Sequence, residues 1–147
     1  MNPKFEINYI RKMDDNKSFE NLEAWKSARE LRKAVSKMVK KFPKHEEDKL
    51  IDQIVRSSRS VSANIAEGYG RYHYLDNMRM CRIARGSLTE TLEHLICAND
   101  EEYISDNEFF EMKMKYERSL KLLNGYVAFL KSKKEAEKKP EKKARIT

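Results

Sequence analysis

Residues 46–70 read EEDKLIDQIVRSSRSVSANIAEGYG. Leu50, Ile54, Val61 and Ile65 recur at intervals of four and seven, which places them on one face of a helix. The acids Glu46 and Glu47 suit a helix N-terminus, and Gly68-Tyr69-Gly70 offers the left-handed turn that closes a helix. Between these ends Ser57, Ser58, Ser60, Ser62 and Ala63 leave the middle of the segment thin. Small side chains let a second helix approach closely. The stretch therefore predicts the first arm of a helical hairpin that turns near residue 70.

The partner follows directly. From about Tyr72 to Asn99, Leu75, Met78, Cys81, Ala84, Leu88, Leu92 and Leu95 line one side of a long helix. Ser105-Asp106-Asn107-Glu108 is a capping-box sequence that opens another, with Phe109, Met112, Tyr116, Leu120, Leu123, Val127 and Leu130 on its apolar face. Upstream, Asn21 is the expected cap of a helix from Leu22 to Lys41 built on Trp25, Ala28, Leu31, Val35, Met38 and Val39. Phe42-Pro43 ends it, because proline disfavours helical geometry in the residue before it. Four such helices with short connections specify an all-α, antiparallel up-down-up-down four-helix bundle. With four glycines in 147 residues, and with Pro3, Pro43 and Pro140 all outside residues 44–139, a β-sandwich or barrel lacks its turns. The expected organisation is an N-terminal arm over 1–18, with a brief Phe5, Ile7, Tyr9 alternation, a bundle over 19–133 and a basic disordered tail over 134–147.

Apolar residues beyond the main stripes mark a second surface: Ile51 and Val55, Met80 and Ile83, then Leu122, Tyr126 and Phe129. A lone bundle cannot bury two faces of each helix, so a homo-oligomer is expected. No apolar run reaches the ~18 residues of a membrane span, and no secretory leader pattern opens the chain. Cys81 and Cys97 fall on one helix about 24 Å apart, too far to pair, which suits a reducing compartment, the cytoplasm. The residues three before His45, His73 and His94 are Phe42, Gly70 and Thr91, so the Glu-x-x-His ligands of a di-iron bundle are lacking and no metal or other cofactor is expected. Glu67, Glu90 and Glu93 are the carboxylates nearest the glycines, and they read as structural or solvated groups. No nucleotide-binding or hydrolase motif occurs, and the expected chain is not an enzyme.

Charge carries more. The formal net charge is +7, and the segment 131–147 holds eight Lys/Arg against three Glu. The first helix is rich in cations, whereas residues 86–111 hold eight acids and no Lys or Arg. Sorting of this kind is unnecessary for folding, since mixed signs serve a solvated helix face equally well. A basic surface favours polyanions by counterion release, and RNA or single-stranded nucleic acid is the expected partner. A hairpin turning near residue 70 sets Arg59 level with Arg82, and Arg56 near Arg85. Arg79 continues that row along the third helix, and Arg71 sits at the turn. Four clustered guanidiniums suit phosphates and bases. Pairing of the same arginines with acids of a neighbouring subunit is an equal alternative, and a protein-interaction scaffold that binds no nucleic acid is the other reading of the chain.

Phe19-Glu20-Asn21-Leu22-Glu23-Ala24-Trp25-Lys26, the Phe42-Pro43 break, Asn64-Ile65-Ala66-Glu67-Gly68-Tyr69-Gly70-Arg71 and Ala84-Arg85-Gly86-Ser87-Leu88, in that order, resemble the "four helix bundle protein" family. Its members include proteins encoded in intervening sequences of bacterial large-subunit rRNA genes. The resemblance covers about Phe19 to Lys133, and this chain carries Ser62 where the family often has proline. It implies an antiparallel four-helix protomer in a ring, commonly a pentamer. It also implies kinship with the accessory variability determinant proteins of diversity-generating retroelements, hence RNA and a reverse transcriptase as partners. On this chain it points to Arg56, Arg59, Arg71, Arg82 and Arg85 as nucleic-acid contacts, with Lys33, Lys37 and Lys40 as a second basic face.

Overall fold

The computed structural model describes residues 18–144, with side chains to residue 138. It contains four main helices, α1 (Glu23–Met38), α2 (Asp52–Gly70), α3 (Tyr74–Asp100) and α4 (Asp106–Ala144), and no strand among the described residues. Each helix packs on two others: α2 on α1 and α3, α4 on α3 and α1. Their shared core includes Leu31, Val35, Ile54, Ile65, Leu88, Leu95 and Leu123, all fully buried. Among the described residues no helix is long and apolar enough to cross a membrane.

The helix ends show how local chemistry sets the connections. A 3-10 turn, Phe19–Asn21, precedes α1, and its cap is Ser18, whose Oγ accepts the Glu20 N–H at 3.3 Å. Asn21 lies inside that turn, so the cap position of α1 belongs to the extended Leu22 instead. Phe42 is extended before Pro43, as expected. The α2 arm starts in steps: a 3-10 turn at Lys44–Glu46, a π turn at Glu47–Ile51 in which Lys49 leaves helical geometry, then regular α-helix. Glu46 accepts the Leu50 N–H at 3.2 Å and so satisfies one of the orphan donors there. Ser105 caps α4 as its sequence promised, accepting the Glu108 N–H at 3.2 Å. That helix continues to Ala144, through residues expected to begin the tail at 134. Of the arm expected over residues 1–18, all but Ser18 lies outside the described residues.

The small residues of α2 meet α3, and they meet it with hydroxyls. Ser57 and Thr91 lie 2.9 Å apart, as do Ser60 and Ser87, while Asn64 donates to the Ser60 carbonyl at 2.7 Å. Thr91 takes the buried place that the apolar pattern gave to Leu92, because the α3 face that meets α2 passes through residue 91, one position and about 100° away. Leu75, also expected inside, is 46% exposed at the α3 N-terminus. Ser119 donates to Ser27 at 3.1 Å and ties α4 to α1 in the same manner.

Glycine acts differently from expectation. No glycine among the described residues has a positive φ, and the chain reverses through extended Arg71 and His73. Gly68 is required for closeness instead: a Cβ there would lie 2.7 Å from Asn77 Oδ1 and 3.0 Å from Met80 Cβ. The turn is therefore centred on Tyr72, with Gly70 still helical.

Candidate nucleic-acid interface

That displacement of the turn changes which residues face one another. With Ser57 against Thr91, Ser60 against Ser87 and Gly68 against Asn77, α2 and α3 run in opposite senses with partner numbers summing to about 147. Arg59 is then level with Leu88 and Arg82 with Ile65. The expected pairing of Arg59 with Arg82 and Arg56 with Arg85 is off by about six residues, or ~9 Å along the axis. Neither expected pair is level. The error came from placing the turn at the glycines.

The arginines are spread along the bundle axis. Arg56, at the N-terminal half of α2, lies 3.7 Å from Asp52 and is 80% exposed. Arg59 is exposed and has no ion pair with a described residue. At the other end of the bundle, Arg71 is bound by Glu67 at 2.8 Å, a hydrogen bond that holds its guanidinium still more firmly protonated. Arg79 is 3.9 Å from Asp76, and Arg82 is exposed with no ion pair among the described residues, whereas Arg85 lies mid-helix within about three residues of the level of Arg59 and donates to the Asn124 side chain on α4 at 3.2 Å. On α1, Lys33 is 3.9 Å from Glu30, and Lys37 lines a groove with Lys41, Lys115, Glu108 and Glu111. Lys40 is exposed near the pair that Lys41 makes with Glu108. The expected second basic face on α1 is thus interleaved with acids from α4. Sequence reading missed Lys115 and Arg118, which face Lys26 across the α1–α4 groove, because only the Ser27–Ser119 register brings them there.

Charge is sorted along the bundle axis. The end built from residues 67–85 and 124–138 carries eight Lys/Arg against four acids. The opposite end, residues 40–52 and 96–111, carries ten acids against four lysines. Tyr103 closes this acidic end, donating to Glu46 at 3.1 Å. Burial and the Glu46 contact push the Tyr103 hydroxyl up. Near the basic end lie Tyr72, 94% exposed, and a groove lined by His73, Leu75, Lys134 and Lys138 together with the acids Asp76 and Glu137.

The residues expected at a subunit interface also divide. Ile51, Val55, Leu122 and Tyr126 pack on the bundle's own core. Tyr126 is tied there, accepting a hydrogen bond from Asn77 at 2.9 Å, and burial pushes its hydroxyl up. Met80 is half-buried beside Gly68. Ile83 and Phe129 remain about half exposed, along with Phe110 and Met114, which the apolar pattern did not single out. Cys81 is buried, which pushes its thiol up to about 11, and burial with Glu93 nearby also raises that of Cys97. No group of three His, Cys, Asp or Glu among the described residues is placed to hold a metal ion.

Residues 20–125 match the family model of the 23S rRNA-intervening sequence protein. The chain belongs to that family. The intervening-sequence family match spans the α1–α3 core and the first half of α4, including the thin α2–α3 contact. No curated protein matches the chain. A solved structure, a protein of unknown function from the S23 ribosomal protein family of Bacteroides thetaiotaomicron, is similar in fold with a TM-score of 0.66 and 23% identity. The likeness covers 71% of this chain and 97% of that one. Neither finding touches the retroelement kinship that the resemblance implied.

Proposed function

We propose that this intervening-sequence family member is a non-catalytic, RNA-binding accessory protein. Its protomer is an antiparallel up-down-up-down bundle, and copies of it assemble as a homo-oligomer, with a pentameric ring as the expected form. The observation that carries this reading is the axial charge sorting. Eight cations against four acids gather at one end, where Arg82 has no ion pair among the described residues and Arg85 is held by an amide rather than by a carboxylate. Such an end meets a phosphate backbone without base readout and releases counterions as it does so. The half-exposed Ile83, Phe110, Met114 and Phe129 support the oligomer, since large exposed apolar side chains gather at contact surfaces.

The test is RNA affinity across a salt series. The logarithm of the affinity is expected to fall linearly with the logarithm of salt, and Arg82→Ala to reduce the slope by about 1. A flat salt response, or no binding at about 50 mM salt, refutes the reading. The acidic end favours a second reading, a scaffold that docks on a basic partner protein. Loss of RNA binding on charge reversal at the basic end, with none on charge reversal at the acidic end, decides against it.

A further inference from the structure

Tyr72 is the most exposed large hydrophobic side chain among the described residues, at 94%, and nothing in the fold asks for an aromatic residue there. The turn between α2 and α3 is made by extended backbone at Arg71 and His73, which most residue types adopt. The His73 imidazole stands perpendicular to the Tyr72 ring, with centroids 5.1 Å apart, and at 94% exposure the Tyr72 ring is open to solvent. Arg71 on its other side is locked onto Glu67 at 2.8 Å, which fixes the start of the turn. His73 itself lines the groove of about 430 Å³ that also holds Leu75, Lys134 and Lys138. Asp76 and Glu137 share the groove, and Arg79 stands 3.9 Å from Asp76.

From this juxtaposition we infer that Tyr72 is a stacking platform for an unpaired base, and that the basic end of the bundle binds single-stranded RNA in preference to duplex. The inference rests on the RNA-binding reading above and narrows it. An exposed aromatic face beside cationic side chains is the arrangement by which proteins hold single strands: here Lys134 and Lys138, set among Asp76 and Glu137, are the groups that meet the phosphates while the ring takes a splayed base. In a duplex the bases are already stacked on one another, so Tyr72 contributes nothing to its binding, and only Lys134, Lys138 and the arginines act. Strand state is thereby discriminated by one side chain, with no hydrogen bond to a base edge and hence little sequence preference.

The experiment compares wild type, Tyr72→Ala, Tyr72→Phe and Lys134→Ala/Lys138→Ala for a short single-stranded RNA and for a long duplex RNA whose ends are a negligible share of its sites. Tyr72→Ala is expected to weaken single-strand binding by about 5- to 100-fold, the range one lost aromatic–base stack gives, and to leave duplex binding unchanged. Tyr72→Phe retains single-strand binding, because a phenyl ring stacks as well. The double lysine variant loses affinity for both RNAs and shows a shallower salt slope. Unchanged single-strand affinity in Tyr72→Ala, an equal loss for both RNAs, or failure of phenylalanine to restore binding overturns the inference while leaving the RNA-binding reading intact. A change in oligomer mass on Tyr72→Ala, read by light scattering, also overturns it by assigning the ring to a subunit contact. No binding of wild type to either RNA at low salt overturns both.

Discussion

Gly68→Ala tests the packing that everything at the basic end depends on. In an open helix the substitution stabilises, since alanine is better than glycine by about 0.5–1 kcal/mol. At this position the added methyl would stand 2.7 Å from Asn77 Oδ1, 3.0 Å from Met80 Cβ and 3.1 Å from the Asn77 carbonyl oxygen. Asn77 cannot simply swing aside. Its Nδ2 donates to the buried-side hydroxyl of Tyr126 at 2.9 Å, and its Oδ1 accepts the Cys81 thiol at 3.6 Å. Overpacking of this kind costs about 1–3 kcal/mol, and losing the Asn77–Tyr126 bond adds about 1 kcal/mol. Set against the propensity gain, the net destabilisation is about 1–3 kcal/mol, or a fall in Tm of roughly 3–10 °C for a chain of this size. The control is Gly86→Ala on α3, where no atom lies within 4 Å of the new Cβ and Tm is expected to rise by roughly 2–4 °C. Both are read by thermal circular dichroism at one protein concentration, because oligomer formation makes Tm concentration-dependent. A Gly68→Ala protein as stable as the Gly86→Ala protein refutes the close α2–α3 approach, and with it the register that sets the arginines apart.

Three further outcomes follow from local geometry. Glu102 holds a positive φ of 61° in the turn that ends α3, where Tyr103 N–H bonds the Ala98 carbonyl at 2.9 Å, so Glu102→Gly is expected to stabilise by about 0.5–1 kcal/mol in denaturant melts; a loss of stability disproves the strain. The backbone hydrogen bond from Leu50, with the Tyr103 contact, lowers the Glu46 pKa on folding. Its stabilisation is therefore complete above the unfolded value of 4.5 and is lost as pH falls through the folded one, so the Tm gap between wild type and Glu46→Ala should narrow below about pH 4.5. A gap independent of pH contradicts this. Thiol labelling at neutral pH should be slow at both cysteines and slower at buried Cys81 than at Cys97; rapid labelling of Cys81 contradicts its burial.

Helix existence and the main apolar faces were legible because each depends on residues within a few turns. Leu50, Ile54, Val61 and Ile65 are all buried where a period of 3.6 puts them, and Ser105 caps α4 as its spacing announced. Thr91 was overlooked because a hydroxyl in a core is acceptable only when a partner such as Ser57 waits on another helix, and that partner lies 34 residues away. Gly68 was read as a turn residue for a similar reason. Sequence shows that a glycine is permissive, whereas only a neighbour at 2.7 Å shows that a side chain is forbidden. For the candidate site, the types of residue were legible and their grouping was not: Arg59 and Arg82, and likewise Arg56 and Arg85, moved about six residues out of level once the turn moved to Tyr72.

The chain's own residues determined a helical protein with an excess of cations, because periodicity, capping and charge are properties of neighbours along the chain. Which cations share a surface was decided by register between helices, since a shift of one residue moves a side chain ~1.5 Å along the axis and about 100° around it. Hydroxyl pairs at Ser57–Thr91, Ser60–Ser87 and Ser27–Ser119, together with the missing side chain at Gly68, set that register. It is their tertiary geometry that makes one end of the bundle basic, the other acidic, and leaves Tyr72 standing out beside the basic end.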